Sequence, residues 1–301
     1  MKANFITVFI PTYNREKYLP RLFDSLEQQA VRNFDVLVVD DGSTDNTENL
    51  VQTYVKTASF PVRYYKKKNG RKPSAYNYCI PFIKGTLTFE LDSDDYVTPD
   101  ALEIIENKWK TYQKENKKLV AMRFLANYHH NKSLIGDKFP DDLRFTNTYD
   151  IRYKHKVRGD KALVFLTKEL QKNKFPSVFG ENQRMSILYN RIGCKGVVGV
   201  CNLMIMTKEY LEGGITSCIN NEKRLFKYPV SNAIYYNELN HFSLSPIHYI
   251  KHNAQYAKFE FYNGKKWFDI YQRAINKKRA LILPSIALGY IKFTKRKLMS
   301  K

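Results

Sequence analysis

The sequence predicts an α/β protein with a doubly wound, mostly parallel sheet, followed by a helical and basic C-terminal region. Over roughly the first 125 residues, short runs of β-branched and aromatic residues alternate with segments of helical apolar spacing. That alternation is typical of a sheet covered by helices on both faces. Residues 240–301 interleave aromatic and aliphatic residues with Lys and Arg and are predicted to be helical. With 301 residues, 43% of them hydrophobic, the chain can bury a full core.

Five strands and four helices make up the predicted alternation. The strands are expected at residues 5–10, 34–39, 61–65, 86–91 and 119–124. The first helix has an apolar stripe over 19–26, the second follows the turn at 40–44, and the third follows Pro73. The fourth is expected to begin at Thr98-Pro99, because Thr is a favourable N-cap and Pro fits a first helical turn.

The pattern becomes less regular after this alternation. Residues 127–158 are predicted to be a long connection with short elements, and 159–172 a helix that ends before Phe175-Pro176. The apolar run at 197–206 is predicted to be a late strand of the same sheet.

Acidic residues follow the fourth strand directly. The stretch TLTFELDSDD (86–95) runs from apolar residues into Asp92, Asp94 and Asp95. Clustered carboxylates repel one another unless a cation compensates, and their oxygens are the ligands that Mg²⁺ and Mn²⁺ prefer. The alternative is a solvated acidic turn. The strand ends at 11–14 and 40–41 are expected at the same sheet edge, where open α/β sheets bind ligands, and this convergence favours a binding site.

The net charge of +21 indicates a polyanionic partner, either nucleic acid, an anionic membrane surface or a phosphorylated ligand. Residues 265–301 contain eleven Lys or Arg and one acid, whereas the first hundred residues carry many carboxylates. A simple nucleic-acid module is therefore not expected. The apolar segment 281–291 is too short to span a bilayer. We predict that the tail lies on an anionic membrane surface; the alternative is that its apolar residues pack on the domain.

Four motifs resemble those of bacterial family-two glycosyltransferases, which are inverting enzymes with the GT-A fold, of the capsule or exopolysaccharide type. The motifs are VFIPTYNREKYL (8–19), VLVVDDGSTDNT (36–47), NGRKPSAYN (69–77) and FELDSDDYVTPDAL (89–102). They cover about the first third of the chain. A looser similarity to the acceptor half of such enzymes covers 175–193 and 209–217.

The resemblance implies transfer of a sugar from a nucleotide diphosphate donor, which we expect to be a UDP-sugar. The residues that would bind the nucleotide sugar are Pro11, Thr12, Tyr13, Asn14, Asp41, Arg71, Lys72, Asp92 and Ser93. Within this set, Asp41 would accept a hydrogen bond from the base, and the basic pair Arg71 and Lys72 would reach the phosphates. Asp94, assisted by Asp92, would ligate Mn²⁺ or Mg²⁺. The alternative for the basic pair is a solvated charge run.

An inverting transfer needs a base that takes the proton of the acceptor hydroxyl. Glu181 is the candidate, and the alternative is a helix-capping or surface glutamate. Where the family often has a second acid several positions later, this chain reads Gln183-Arg184, so Glu222 and Glu238 remain fallbacks. Pro73 also replaces a His that relatives often carry.

The predicted domain organisation follows the motifs. Residues 1–125 would bind the nucleotide sugar, 126–239 would bind the acceptor, and 240–301 form the basic C-terminal region.

The acceptor is expected to be a saccharide, with an undecaprenyl-linked one as a candidate. Four cysteines without C-x-x-C spacing favour a cytoplasmic protein. The basic tail predicts that this protein is peripheral on the inner face of the plasma membrane. The competing functions are a non-catalytic polyanion or nucleic-acid binder, and a donor-binding relative without a working base.

Overall fold

The computed structural model describes residues 5–176, 178, 181–211, 226–275 and 278–299. The strands are β1 Ile6–Thr12, β2 Phe34–Asp40, β3 Val62–Lys66, β4 Leu87–Glu90, β5 Tyr96–Val97, β6 Leu119–Tyr128, β7 Phe145–Thr146, β8 Ala162–Leu166 and β9 Val197–Lys208. The helices are α1 Leu19–Glu27, α2 Thr47–Thr57, α3 Arg71–Cys79, α4 Ala101–Glu115, α5 Thr148–Tyr153, α6 Thr167–Lys172, α7 Ser186–Gly193, α8 Pro229–Glu238, α9 Pro246–Tyr262, α10 Trp267–Arg273 and α11 Arg279–Met299.

These strands form one mixed sheet in the order β3-β2-β1-β4-β8-β6-β9-β5, with β7 paired to β9. Neighbours among β1 to β4 are parallel, as predicted. β8 runs antiparallel between β4 and β6, so those two strands point the same way, and β6 is parallel to β9. The predicted α/β class and the late strand are confirmed.

The core holds the first strands in place. Every residue of β1 and β2 is buried, which explains why both are mostly apolar, and the buried Thr7 hydroxyl donates to Asp35 Oδ1 at 2.6 Å. α1 buries Leu19, Leu22 and Phe23 against this side of the sheet, and Trp109 of α4 is fully buried. Burial of each large apolar side chain contributes roughly 1.5–3 kcal/mol to the free energy of unfolding. The core therefore fixes the strand ends that carry the polar motifs.

One predicted element was wrong, and the predicted helix α4 begins two residues later than expected. Residues 162–166 form β8 and not the first part of a helix; helix α6 begins only at Thr167. The run ALVFL is buried between β4 and β6, and a short buried strand cannot be distinguished from a buried helix by periodicity. Helix α4 begins at Ala101, because Thr98 instead closes a turn in which its hydroxyl donates to Asp100 Oδ1 at 2.6 Å.

The chain divides into two compact units. Unit 1 comprises Met1–Phe175 and Lys195–Glu212 and contains the sheet, and unit 2 comprises Pro176–Cys194 and Gly213–Lys301. The part of unit 2 that is described is helical, which confirms the predicted helical C-terminal region. The binding roles that we predicted for residues 1–125 and 126–239 remain predictions.

Helices α9 and α11 of unit 2 pack closely against each other. A Cβ at Gly289 would lie 2.6 Å from Ala257 Cβ and 2.7 Å from Ala254 O, so only glycine permits this approach. Ile282 and Ile286 of α11 are fully buried. Among the described helices, none is long and apolar enough to cross a membrane.

A buried histidine in α9 is expected to make unit 2 sensitive to acid. Burial, with the nearby His248 and Lys251, lowers the pKa of His252 to about 4. The unfolded chain takes up this proton near pH 6.5, so the stabilising contribution present above pH 6.5 is lost as the pH falls toward 4. We expect a loss of about 2–3 kcal/mol of unfolding free energy between pH 7 and 4.5 from this group.

Urea denaturation at the two pH values measures this effect. The variant His252→Phe should lose this part of the pH dependence, whereas His130→Phe, which changes an exposed histidine, should not. Identical pH dependence of the wild type and His252→Phe would contradict the prediction.

Candidate active site

The loops after β1 and β2 are joined at the carboxyl edge of the sheet. The N–H of Asp41 donates to Thr12 O at 2.8 Å. Asn14 has a left-handed backbone (φ 52°), and its N–H donates to Ser43 Oγ at 2.9 Å. Its Oδ1 accepts from the N–H of Thr44 at 2.8 Å. Asn14 therefore fixes the loop geometry, a role that the sequence did not indicate.

The residues that were predicted to bind the nucleobase lie beside this junction. Asp41 Oδ1 accepts hydrogen bonds from Lys67 Nζ at 2.6 Å and from the N–H of Gly70 at 2.9 Å. The hydroxyl of Thr12 is buried without a protein hydrogen-bond partner among the described residues. The ring of Tyr13 is 44% exposed. An exposed aromatic ring next to a carboxylate at a sheet edge suits a heterocyclic base.

Three carboxylates meet in the turn after β4. Asp92, Asp94 and Asp95 each offer an oxygen within 4.8 Å of the others. The turn is closed by the N–H of Asp95, which donates to Asp92 O at 3.0 Å. Asp95 is buried, Asp92 and Asp94 are partly exposed, and Ser93 is buried between them.

Three cations surround these carboxylates unevenly. Lys72 Nζ lies 2.9 Å from Glu90 Oε1 and pairs with the carboxylate of Asp92. Lys208 pairs with the carboxylate of Asp95 and lies 3.6 Å from Asp92 Oδ2. Among the described residues, the one ion pair of Asp94 is longer, 3.7 Å from Arg15 Nη2 to Asp94 Oδ2.

The pKa shifts reflect this uneven compensation. Burial acts to raise the pKa of Asp92, but Lys72 and Lys208 outweigh it and hold the pKa below its ordinary value. Burial and then the charge of Asp92 raise the pKa of Asp94, against the smaller effect of Arg15. Burial raises the pKa of Asp95 to about 7 although Lys208 opposes it.

Asp94 is therefore a partly exposed carboxylate whose negative charge is poorly compensated. A divalent cation at this oxygen cluster would supply the missing positive charge, and oxygen ligands of this kind suit Mg²⁺ or Mn²⁺. The donor set thus fits the predicted metal, with Asp94 as the principal ligand and Asp92 beside it. Asp95 already forms an ion pair with Lys208.

An arginine from α1 holds the carboxylate turn in position. Arg21 Nη2 donates to Asp94 O at 2.8 Å and also to the carboxylate of Glu209, at the end of β9. The guanidinium lies over the ring of Tyr96, 4.7 Å from its centroid. These contacts fix the backbone of Asp94 from outside the acidic motif.

Four cations that contact these acids or Asp41 were not predicted: Arg15, Arg21, Lys67 and Lys208. Arg15 lies within the motif 8–19 and Lys67 two residues before the motif 69–77, so both could have been found from those motifs. Lys208 could not, because the predicted strand ended at Met206. The pairing of β9 with β5, Tyr96 opposite Thr207, and with β6, Tyr128 opposite Lys208, brings Lys208 to the carboxylates.

The predicted phosphate-contacting residues differ in position. Both lie in the first turn of α3, and Arg71 is exposed, with a left-handed backbone (φ 69°). Lys72 instead contacts the carboxylates. Lys72 is thus part of the cluster, and contact of either residue with a phosphate remains a prediction.

The predicted catalytic base, Glu181, lies in unit 2. Glu181 accepts hydrogen bonds from the N–H groups of Val230 at 3.0 Å and Ser231 at 2.6 Å, in the first turn of α8. This is a helix-capping contact, and the catalytic role of Glu181 stays a prediction. Glu238 is buried and ion-paired with Arg191. Glu222 lies outside the described residues.

The sequence model described as Glycosyl transferase family 2 matches residues 7–167, more than half of the chain. The chain belongs to this family. The membership predicted from the four motifs is therefore confirmed. Hyaluronan synthase from Pasteurella multocida is 39% identical over 103 residues, which cover 34% of this chain and 10% of that protein. The matched segment is thus a small part of that relative.

Solved structures of glycosyltransferases share the fold. TarS 1–349 from S. aureus, in complex with UDP-GlcNAc, has a TM-score of 0.66 at 18% identity, over 96% of this chain and 89% of that one. The mannosyltransferase PcManGT from Pyrobaculum calidifontis, in complex with GDP-Man and Mn²⁺, has a TM-score of 0.50 at 15% identity, over 96% and 86%. These similarities confirm the predicted GT-A fold of this family 2 member.

Proposed function

We propose that this family 2 member transfers a sugar from a UDP-sugar donor to a saccharide acceptor, with inversion, in bacterial surface polysaccharide synthesis. The observation that carries the proposal is the carboxylate cluster at the sheet edge, in which Asp94 has no described cation closer than Arg15 at 3.7 Å. Family membership supports the reaction class. The similarity to hyaluronan synthase supports a polysaccharide product, and the UDP-GlcNAc complex of TarS supports a UDP-sugar.

The loops after β1 and β2 would bind the nucleoside. Both protein donors to Asp41 contact Oδ1, so Oδ2 would accept the N3–H of uracil. The exposed ring of Tyr13 would stack on the base, with Pro11 beside it, and Thr12 would contribute its hydroxyl. Asn14 would act by holding the two loops together. A buried polar atom that finds its partner only in the ligand favours binding of that ligand.

Asp94 and Asp92 would hold Mn²⁺ or Mg²⁺ under the diphosphate. When bound, the ion would stabilise the negative charge that develops on the departing nucleotide diphosphate. Lys72 and Arg15 already face these carboxylates and would add positive charge beside the phosphates. Ser93 and Arg71 would complete the donor-binding surface. The solved structure of PcManGT in complex with GDP-Man and Mn²⁺ supports a divalent ion in this fold.

Glu181 would take the proton of the acceptor hydroxyl. The N–H groups of Val230 and Ser231 at the start of α8 hold the carboxylate in a defined position, and a carboxylate can act as such a base. The acceptor would be a lipid-linked saccharide, undecaprenyl-linked in the simplest case, and the enzyme would act as a peripheral protein on the cytoplasmic face of the membrane.

The proposal is tested with a panel of nucleotide sugars in the presence of Mn²⁺ or Mg²⁺, with released nucleotide diphosphate as the readout. Slow hydrolysis of one UDP-sugar without acceptor would identify the donor. Release that requires the metal and is selective for UDP-sugars is the expected result. Tight, salt-sensitive binding of generic DNA with no turnover of any nucleotide sugar would support the non-catalytic alternative.

A further inference from the structure

The outward face of helix α11 carries apolar side chains where polar ones are expected. Leu283, Ile291 and Leu298 are 56%, 59% and 75% exposed. They are spaced eight and seven residues apart, so they lie on one side of the helix. The other side buries Ile282 and Ile286 in unit 2. The helix is therefore apolar on the side that packs and also on the side that faces solvent.

Two aromatic residues of α10 extend this surface. Phe268 is 70% exposed, and the partly exposed ring of Trp267 lies 5.7 Å from the ring of Tyr290 in α11. We refer to Trp267, Phe268, Leu283, Tyr290, Ile291 and Leu298 as the apolar patch. A contiguous group of exposed apolar side chains indicates a binding surface, whereas isolated ones do not.

The charges around the patch indicate what covers it. Lys265 and Lys266 precede its aromatic residues, and Lys292, Lys295 and Lys297 lie among its aliphatic ones. Asp269 is the one acidic residue in 265–301. Apolar side chains bordered by lysines, with Trp and Tyr among them, match the boundary between acyl chains and anionic head groups.

We propose that the apolar patch inserts into the head-group region of an anionic lipid bilayer, so that unit 2 is held by buried apolar side chains and not by charge alone. The proposal rests on the proposed function in one respect only: insertion would bring the enzyme to a lipid-linked acceptor. The lysines attract the protein to the surface, and the apolar side chains determine how long it stays.

The tryptophans of this chain allow a direct test of insertion. The sequence contains two, and Trp109 is fully buried, so changes in fluorescence on membrane binding report Trp267. With vesicles of phosphatidylcholine and phosphatidylglycerol, we expect a blue shift and quenching by lipids brominated on the acyl chains. Trp267→Phe should abolish both signals. Absence of quenching in the wild type, under conditions where it binds the vesicles, would overturn insertion.

Vesicle flotation of polar variants tests the aliphatic part of the patch without changing net charge. Leu283→Ser/Ile291→Ser/Leu298→Ser should lower partition onto anionic vesicles by roughly tenfold or more. The control Val55→Ser/Leu203→Ser changes two apolar side chains of unit 1 that are each 39% exposed, and should bind normally. The single variant Ile291→Ser, with circular dichroism, separates loss of binding from loss of fold.

Two results would overturn the proposal. Flotation of the triple variant at wild-type level would mean adsorption by charge alone. A wild-type dimer in analytical ultracentrifugation that the triple variant dissociates would mean that a second copy covers the patch. Release of UDP without vesicles should be the same in wild type and variants. This readout distinguishes failure of membrane insertion from failure of the proposed enzymatic function.

Discussion

Replacement of Asp94 by Asn is expected to lower the rate of sugar transfer by at least about a thousandfold. Asn keeps the shape of the side chain but removes the charge that binds a divalent cation. The fold should not suffer, because burial and the charge of Asp92 both oppose ionisation of Asp94 and raise its pKa. We therefore expect unfolding free energy to stay equal or rise while turnover is lost. A merely structural carboxylate would give the opposite combination.

The control for this variant is Asp141→Asn, which removes one negative charge at an exposed site. It should retain wild-type turnover. Excess chelator should reproduce the loss in the wild type and leave Asp94→Asn unaffected. Wild-type activity of Asp94→Asn, or full activity in chelator, would exclude Asp94 as the metal ligand.

The second large effect is expected for Glu181→Gln, which should lower transfer to the acceptor by about 10²–10⁴-fold. Gln cannot take a proton, but its carbonyl oxygen can still accept a hydrogen bond from the start of α8. UDP affinity should therefore be retained. Calorimetric titration with UDP, alongside acceptor kinetics, separates the two steps.

The capping contacts of Glu181 require a control for stability. Ser245→Ala removes the hydroxyl that accepts the N–H of His248 at the start of α9, a comparable cap worth about 1 kcal/mol. It should lower stability without affecting chemistry. If Glu181→Gln and Ser245→Ala behave alike, Glu181 is a capping residue. Near-normal transfer by Glu181→Gln would exclude Glu181 as the base and place the base elsewhere in this chain.

The strand ends that form the site were predictable because burial makes their sequence distinctive. β1 and β2 are buried throughout, and the change from apolar to polar residues at Thr12 and Asp40 marks the end of each strand. The acidic turn after β4 is marked in the same way. Parallel connections then bring these ends to one edge without further information.

The compensating cations were less predictable because they depend on pairing between distant segments. Lys208 lies at the carboxylates because β9 continues two residues past its apolar run and pairs there with both β5 and β6. The position of β8 between β4 and β6 also depends on contacts between distant segments. The sequence ALVFL has no periodicity that distinguishes a strand from a helix. The position of the acidic residues can therefore be predicted from local sequence, whereas the position of the cations that pair with them depends on tertiary structure.

The most direct test of the carboxylate site is a calorimetric titration of the wild type and Asp94→Asn with UDP, with and without Mn²⁺. If Asp94 holds an ion beneath the diphosphate, Mn²⁺ should tighten UDP binding by roughly tenfold or more in the wild type, about 1.4 kcal/mol. It should leave the affinity of the variant unchanged. Equal UDP affinity of the wild type in Mn²⁺ and in chelator would contradict the metal site, and an undiminished Mn²⁺ effect in Asp94→Asn would contradict the role of Asp94.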